Sequence, residues 1–132
     1  MKRIRVIALI AGLATDLIGT IIVSAVVTFA FMMLPSSSGQ RLETFLQTLL
    51  SDPLFLAIGY AVGIAFTLLG AYIAARMSRP YSMLNTLIFG VISTLLIVFF
   101  GSMYPVWYNV LSILTVIPVS LVPGYLLARQ TV

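Results

Sequence analysis

The sequence has few acidic side chains, and one of them lies within a long apolar stretch, where a charged group is energetically unfavourable. Asp16 interrupts a long apolar stretch, whereas Glu43 and Asp52, the other two acids of the 132-residue chain, lie in more polar sequence. A carboxylate near the middle of a bilayer costs about 2.5–3.5 kcal/mol, so an acid in that position is a candidate functional site. We therefore take Asp16 as the residue best able to do chemistry, by binding a proton or a cation.

The residue types needed for most enzyme chemistry are missing. The chain contains no histidine and no cysteine, which removes the commonest zinc ligands, thiol nucleophiles and disulfides. A catalytic pair of carboxylates would have to join Asp16 to Glu43 or Asp52, which we expect at the membrane surface opposite the cytoplasm. We therefore expect no enzymatic activity, no metal site and no cofactor.

The composition indicates an integral membrane protein with a single domain, residues 1–132. Hydrophobic residues make up 61% of the chain and charged residues only 8%, whereas a soluble domain carries roughly 25% charged residues. The net charge of +4 comes from basic residues that flank apolar stretches. That pattern is typical of membrane topology and not of a phosphate-binding face, so we expect the lipid bilayer as a partner and no nucleic acid.

The hydropathy pattern predicts an all-α fold, a bundle of four transmembrane helices. A spanning helix needs about 20 mainly apolar residues. The predicted spans are residues 4–34, 53–76, 80–103 and 105–128. Between the first two, residues 40–50 carry leucines and a phenylalanine on one helical face, which predicts a short amphipathic helix. This helix either lies in the membrane interface or packs on the outer ends of the bundle.

The distribution of basic residues predicts the orientation. Every lysine and arginine except Arg41 lies near the N-terminus, between the second and third spans, or near the C-terminus. Because basic residues are retained on the cytoplasmic side, we expect both termini in the cytoplasm and the amphipathic helix outside.

A layer of polar groups is predicted around Asp16. Asp16 lies eleven residues beyond Arg5, which is about 16 Å along a helix. The same distance along the other spans reaches Thr67, Ser93, Thr94, Thr115 and Pro118. Pro118 enters this set because a proline inside a helix frees a carbonyl, here that of Leu114.

Two interpretations of Asp16 remain open at this stage. No basic residue is expected at its depth, so the desolvated carboxyl should be neutral. A neutral Asp16 could join helices through a hydrogen bond worth about 0.6–2 kcal/mol. Alternatively, it could titrate and carry protons or cations.

Glycines at helical spacing predict close packing between helices. Small residues let helix backbones approach each other in lipid. The candidates are Gly12, Gly59, Gly63, Gly70, Gly90 and Gly124. Nearer the cytoplasm, Asn85 is expected level with three of these glycines, in a tightly packed floor of the bundle or in a gate.

Two resemblances add to this interpretation. The stretches Gly70-Ala-Tyr-Ile-Ala-Ala-Arg76 and Pro105-Val-Trp-Tyr108, with the C-terminal Pro-Gly-Tyr-Leu-Leu-Ala-Arg129, resemble a group of small four-helix bacterial membrane proteins. That resemblance implies a bacterial inner-membrane location and no particular activity. The stretch Ala14-Thr-Asp-Leu-Ile-Gly-Thr20 is similar to the first helix of small multidrug resistance transporters. In that family an acid followed by Gly-Thr binds protons and cationic drugs in turn, which implies such a role for Asp16.

Two functions from different classes follow. The first is a non-enzymatic inner-membrane protein that packs against copies of itself or against a larger membrane complex. The glycine stripes of the second and third spans would be its contact faces. The alternative is a proton-coupled transporter or channel that works through Asp16.

Overall fold

The computed structural model of the chain describes residues 4–35 and 39–130, and it is all-helical over those residues. Five α-helices follow one another without a strand in either range. They are α1 (Val6–Met32), α2 (Leu42–Leu49), α3 (Pro53–Met77), α4 (Ser82–Phe100) and α5 (Val106–Arg129).

Four of these helices, α1, α3, α4 and α5, are long and apolar enough to cross a membrane. The predicted all-α fold with four apolar spans is therefore confirmed, and it indicates a multi-pass membrane protein. The third span covers Ser82–Met103: α4 ends at Phe100, and the last turn of the span, Gly101–Met103, is 3₁₀ helix.

Helix α3 begins where its sequence predicts, at a proline preceded by an acid. The carboxylate of Asp52 accepts hydrogen bonds from the backbone N–H groups of Leu54 and Phe55, at 2.8 and 3.0 Å. Pro53 occupies the first helical position, where its missing N–H costs nothing. The short α2, just before it, buries Phe45 and Leu49 and leaves its other leucines exposed.

Helix α3 is the centre of the bundle. It packs against α1, α4 and α5, and α4 and α5 pack closely against each other. Helix α1 has a smaller contact with α4 and at most a marginal one with α5 within the described residues. The buried apolar core is small and includes Leu9, Ala71 and Phe89. Most of the remaining apolar side chains face outward, as expected where lipid is the solvent.

Candidate functional site

Asp16 lies in the seam between α1 and α3, with only 9% of its surface exposed. The close approach of the two helices depends on Gly70, because a Cβ atom on that residue would lie 3.1 Å from the Cβ of Asp16. The acid is thus held inside the bundle and does not face lipid. This is where an intramembrane carboxyl is expected when it has a structural or functional role.

The direct partner of Asp16 is Thr67 on α3. The hydroxyl of Thr67 lies 3.4 Å from each of the two carboxyl oxygens. Oxygen–oxygen hydrogen bonds usually measure 2.5–3.0 Å, so this contact is long and shared between two acceptors. Asp16 is therefore paired weakly for a buried carboxyl, and it retains capacity to bind a proton, a water molecule or a cation.

Two more hydroxyls are buried and have no hydrogen-bond partner among the described residues. One belongs to Thr20, which lies one helical turn from Asp16 and interacts with its carboxyl without reaching hydrogen-bond geometry. The other belongs to Ser93, which lies one turn beyond Phe89 on α4. The ring of Phe89 reaches to 3.1 Å from where a Cβ on Gly70 would stand. Residues four apart share a helix face, so Ser93 lies on the face of α4 that carries Phe89.

This group of oxygens, the carboxyl of Asp16 with the hydroxyls of Thr67 and Thr20, is called the Asp16 cluster below. Neutral or negative oxygens are the ligands that hard cations prefer. Within residues 4–35 and 39–130, no group of three acidic, histidine or cysteine residues could hold a metal ion. The cluster therefore has one ionisable group, and its chemistry is that of a single carboxyl beside hydroxyls.

Three predicted members of the polar layer make other contacts or face outward. The hydroxyl of Thr94 donates to the carbonyl of Gly90 in its own helix, at 2.8 Å. Thr115 pairs with the hydroxyl of Tyr60 at 2.9 Å, between α5 and α3. Pro118 is exposed on the surface of α5. Thr115 therefore pairs with Tyr60 and not with Asp16, Pro118 faces outward, and a layer that joins them to Asp16 stays a prediction.

Residues at the same depth in the membrane need not contact each other, and the reason is geometric. Helix rise gives the depth of a residue in the membrane but not the direction in which it faces. Helix α5 packs on the far side of α3 and α4, away from α1. Leu114, whose carbonyl was a candidate partner for the acid, is 66% exposed. A residue of α5 can thus share the depth of Asp16 and still lie outside its reach.

Four of the predicted packing glycines lie at close helix contacts. Gly12 on α1 faces Gly70 on α3, where the backbones are too close for a side chain. On the other side of the bundle, a Cβ on Gly90 would collide with Ser120, and one on Gly124 would collide with Thr86. These glycines set the distances α1–α3 and α4–α5.

Gly59 and Gly63 differ from the other four. A Cβ on Gly59 would make an ordinary contact of 3.5 Å with the hydroxyl of Tyr108, and a Cβ on Gly63 would meet nothing within 4 Å. Within the described residues, these two glycines do not lie at a crossing of helix backbones, so their role in helix packing stays a prediction. They lie in the half of α3 that begins at Pro53, and we call their shared surface the Gly63 face.

Asn85 is fully buried and joins α4 to the start of α1. Its side-chain oxygen accepts the backbone N–H of Arg5 at 3.0 Å, and its amide group donates to the carbonyl of Tyr81 at 2.9 Å. Both ends of the side chain are therefore occupied. This arrangement fits a packed floor better than a gate.

Sequence reasoning missed Thr20, although a signal for it was available. Thr20 lies four residues after Asp16 and therefore on the same helix face. It also missed Gly19, whose lack of a side chain leaves room for the ring of Phe66 on α3.

Comparisons with models of protein families, with curated proteins and with solved structures found no match to this chain.

Proposed function

We propose that this chain is a non-enzymatic protein of the bacterial inner membrane with both termini in the cytoplasm. It assembles there with copies of itself or within a larger membrane complex. The contact surface is the Gly63 face of α3, and α2 lies at the opposite membrane interface from the termini.

The observation that carries this proposal is the open space beside Gly63. In lipid, glycine stripes bring helices together because backbones can approach closely. Within the chain this role is taken by Gly12 and Gly70, whose backbones are in contact. Gly63 has no neighbour among the described residues within 4 Å of the position of a Cβ. A helix from a second chain would fill this space.

Cysteine cross-linking tests the proposal directly, because the chain has no native cysteine. We expect Gly63→Cys to form a cross-linked dimer in membranes, or an adduct with another membrane protein. The matched control is Ala61→Cys, which is exposed on a different face of the same helix. Equal cross-linking at the two positions would contradict assembly through the Gly63 face.

A second function is favoured by the Asp16 cluster. The carboxyl has one long hydrogen bond, from Thr67, and the buried hydroxyl of Thr20 interacts with it without reaching hydrogen-bond geometry. A buried polar group without a partner is costly, and a bound proton, water molecule or cation would relieve that cost. The alternative function is therefore proton-coupled transport through Asp16.

An infrared titration in lipid vesicles distinguishes the two functions. The protonated-carboxyl band of Asp16 is assigned by difference against Asp16→Asn. Under the assembly proposal, the band persists from acidic to alkaline pH and Asp16→Asn leaves assembly intact. Under the transport alternative, the band disappears near neutral pH, and Asp16→Asn folds normally but abolishes a proton-coupled flux.

A further inference from the structure

A groove runs between α3 and α5 in the half of the bundle that holds their C-terminal ends. Its volume is about 490 Å³. Apolar side chains form nearly all of its lining, among them Leu68, Leu69, Val122 and Leu126. Leu69 and Leu126 are 45% and 55% exposed, so the groove opens to the surroundings of the bundle.

Polar residues occupy one end of this groove, and they accept hydrogen bonds from arginine side chains. Tyr72 and Gln130 line the groove. The guanidinium of Arg76 donates to the hydroxyl of Tyr72 at 3.3 Å, and that of Arg79 donates to the side-chain oxygen of Gln130 at 3.2 Å. A third guanidinium, of Arg129, lies 4.5 Å above the ring of Tyr125.

These arginines have no carboxylate side chain near them. The chain contains only Asp16, Glu43 and Asp52. Asp16 is buried against Thr67, and the other two lie in or next to α2, at the far end of α3. Asp52 and Arg76 are separated by 24 residues of helix, or about 36 Å. The cations at the mouth of the groove are therefore available to an external anion.

An apolar groove that ends in arginine side chains without a carboxylate partner is complementary to a phospholipid with an anionic headgroup. We propose that this groove binds one such lipid. An acyl chain lies along Leu69 and Leu126, and the phosphate is bound by Arg76 and Arg79, whose guanidinium groups contact the lining residues Tyr72 and Gln130. Arginine suits this role because its planar guanidinium donates two parallel hydrogen bonds to a phosphate.

Quenching of tryptophan fluorescence by brominated lipids tests the site. The only native tryptophan, Trp107, lies at the start of α5 and is replaced by phenylalanine. A reporter at Leu69→Trp then senses the groove. A matched reporter at Val91→Trp, exposed on α4 at a similar depth, senses bulk lipid. Vesicles contain phosphatidylcholine and phosphatidylglycerol, with bromine on the acyl chains of one or the other.

We expect brominated phosphatidylglycerol to quench the groove reporter at a mole fraction at least about fivefold lower than brominated phosphatidylcholine, since each basic group near the surface favours an anionic lipid by about that factor. The Val91→Trp reporter should show no such preference. Replacing Arg76 and Arg79 by glutamine should abolish the preference, whereas Arg41→Gln, near the opposite end, should not. A preference that survives loss of both arginines would overturn the proposal.

A second measurement needs no reporter in the groove. Native mass spectrometry of the wild-type protein should retain phosphatidylglycerol over phosphatidylcholine, and the Arg76→Gln, Arg79→Gln protein should lose this retention. Absence of bound lipid in the wild type would contradict the proposal. So would shielding of the groove reporter from both lipids, because it would show that a second copy of the chain covers the groove.

Discussion

The backbones of Gly12 and Gly70 meet at the crossing of α1 and α3. A Cβ on Gly12 would lie 2.6 Å from the carbonyl oxygen of Gly70, and a Cβ on Gly70 would lie 2.5 Å from that of Gly12. Both neighbours are backbone atoms, which cannot move away by a change of side-chain rotamer. Asp16 comes one turn after Gly12 on α1, so this crossing also sets the distance between the acid and α3.

The first prediction concerns this crossing. Gly12→Ala should lower the free energy of unfolding in detergent micelles by about 1–3 kcal/mol, because the helices must separate to admit the methyl group. The matched control is Gly63→Ala, measured on the monomer in micelles, which adds the same methyl group where no described residue lies within 4 Å. That control should leave stability unchanged or raise it, since alanine favours helix over glycine. Equal losses would show that the crossing is not close-packed.

The second prediction concerns the contact between Thr67 and Asp16. Thr67→Val keeps the shape of the side chain and removes the hydroxyl that reaches both carboxyl oxygens. We expect a loss of about 0.6–1.7 kcal/mol in the free energy of unfolding, the range measured for hydrogen bonds between helices in membranes.

Thr94→Val is the control for this change. The hydroxyl of Thr94 bonds within its own helix, to Gly90, so its removal separates no helices. The loss should stay below about 0.5 kcal/mol. If Thr94→Val costs as much as Thr67→Val, the contact to Asp16 does not join the helices.

The third prediction concerns the start of α1. Asn85→Ala leaves the backbone N–H of Arg5 without its acceptor, which should cost about 1–3 kcal/mol. Hydrogen exchange should accelerate in the first turn of α1. Asn109→Ala also removes an amide, one that bonds to Gly101 between α4 and α5, and it should leave exchange in α1 unchanged. Unaltered exchange in the Asn85 variant would rule out this anchoring role.

The fourth prediction concerns orientation. With both termini in the cytoplasm, Ser51→Cys lies outside and Met77→Cys inside. Both positions are exposed at helix ends. In spheroplasts, a membrane-impermeant maleimide should label the first and not the second until the membrane is opened. The reverse pattern would invert the proposed topology.

Much of the fold could be predicted from hydrophobicity alone. Runs of about 20 apolar residues define the spans, and an acid followed by a proline located the start of α3 at Pro53. The contact between Asp16 and Thr67 also followed from counting helix rise from the basic ends. These features depend on length and depth, which a sequence expresses directly.

The rest depends on how the helices are arranged around one another, which no periodicity in a single helix reveals. Thr115 has the depth of Asp16 but pairs with Tyr60, because α5 packs on the other side of the bundle. Gly63 and Gly70 also cannot be distinguished from the sequence, because both belong to the same stripe of small residues on α3. Only Gly70 meets another helix of the chain at that distance.

The separation of Asp16 and Thr67 along the chain has a consequence for biogenesis. Thr67 follows Asp16 by 51 residues, and ribosomes add about 5–20 residues per second. Helix α1 therefore enters the membrane roughly 3–10 seconds before its partner is made. During that interval the carboxyl must be neutral in lipid or remain beside the insertion machinery. Docking of α3 ends this interval, so it is the step at which the newborn protein first buries its most costly group.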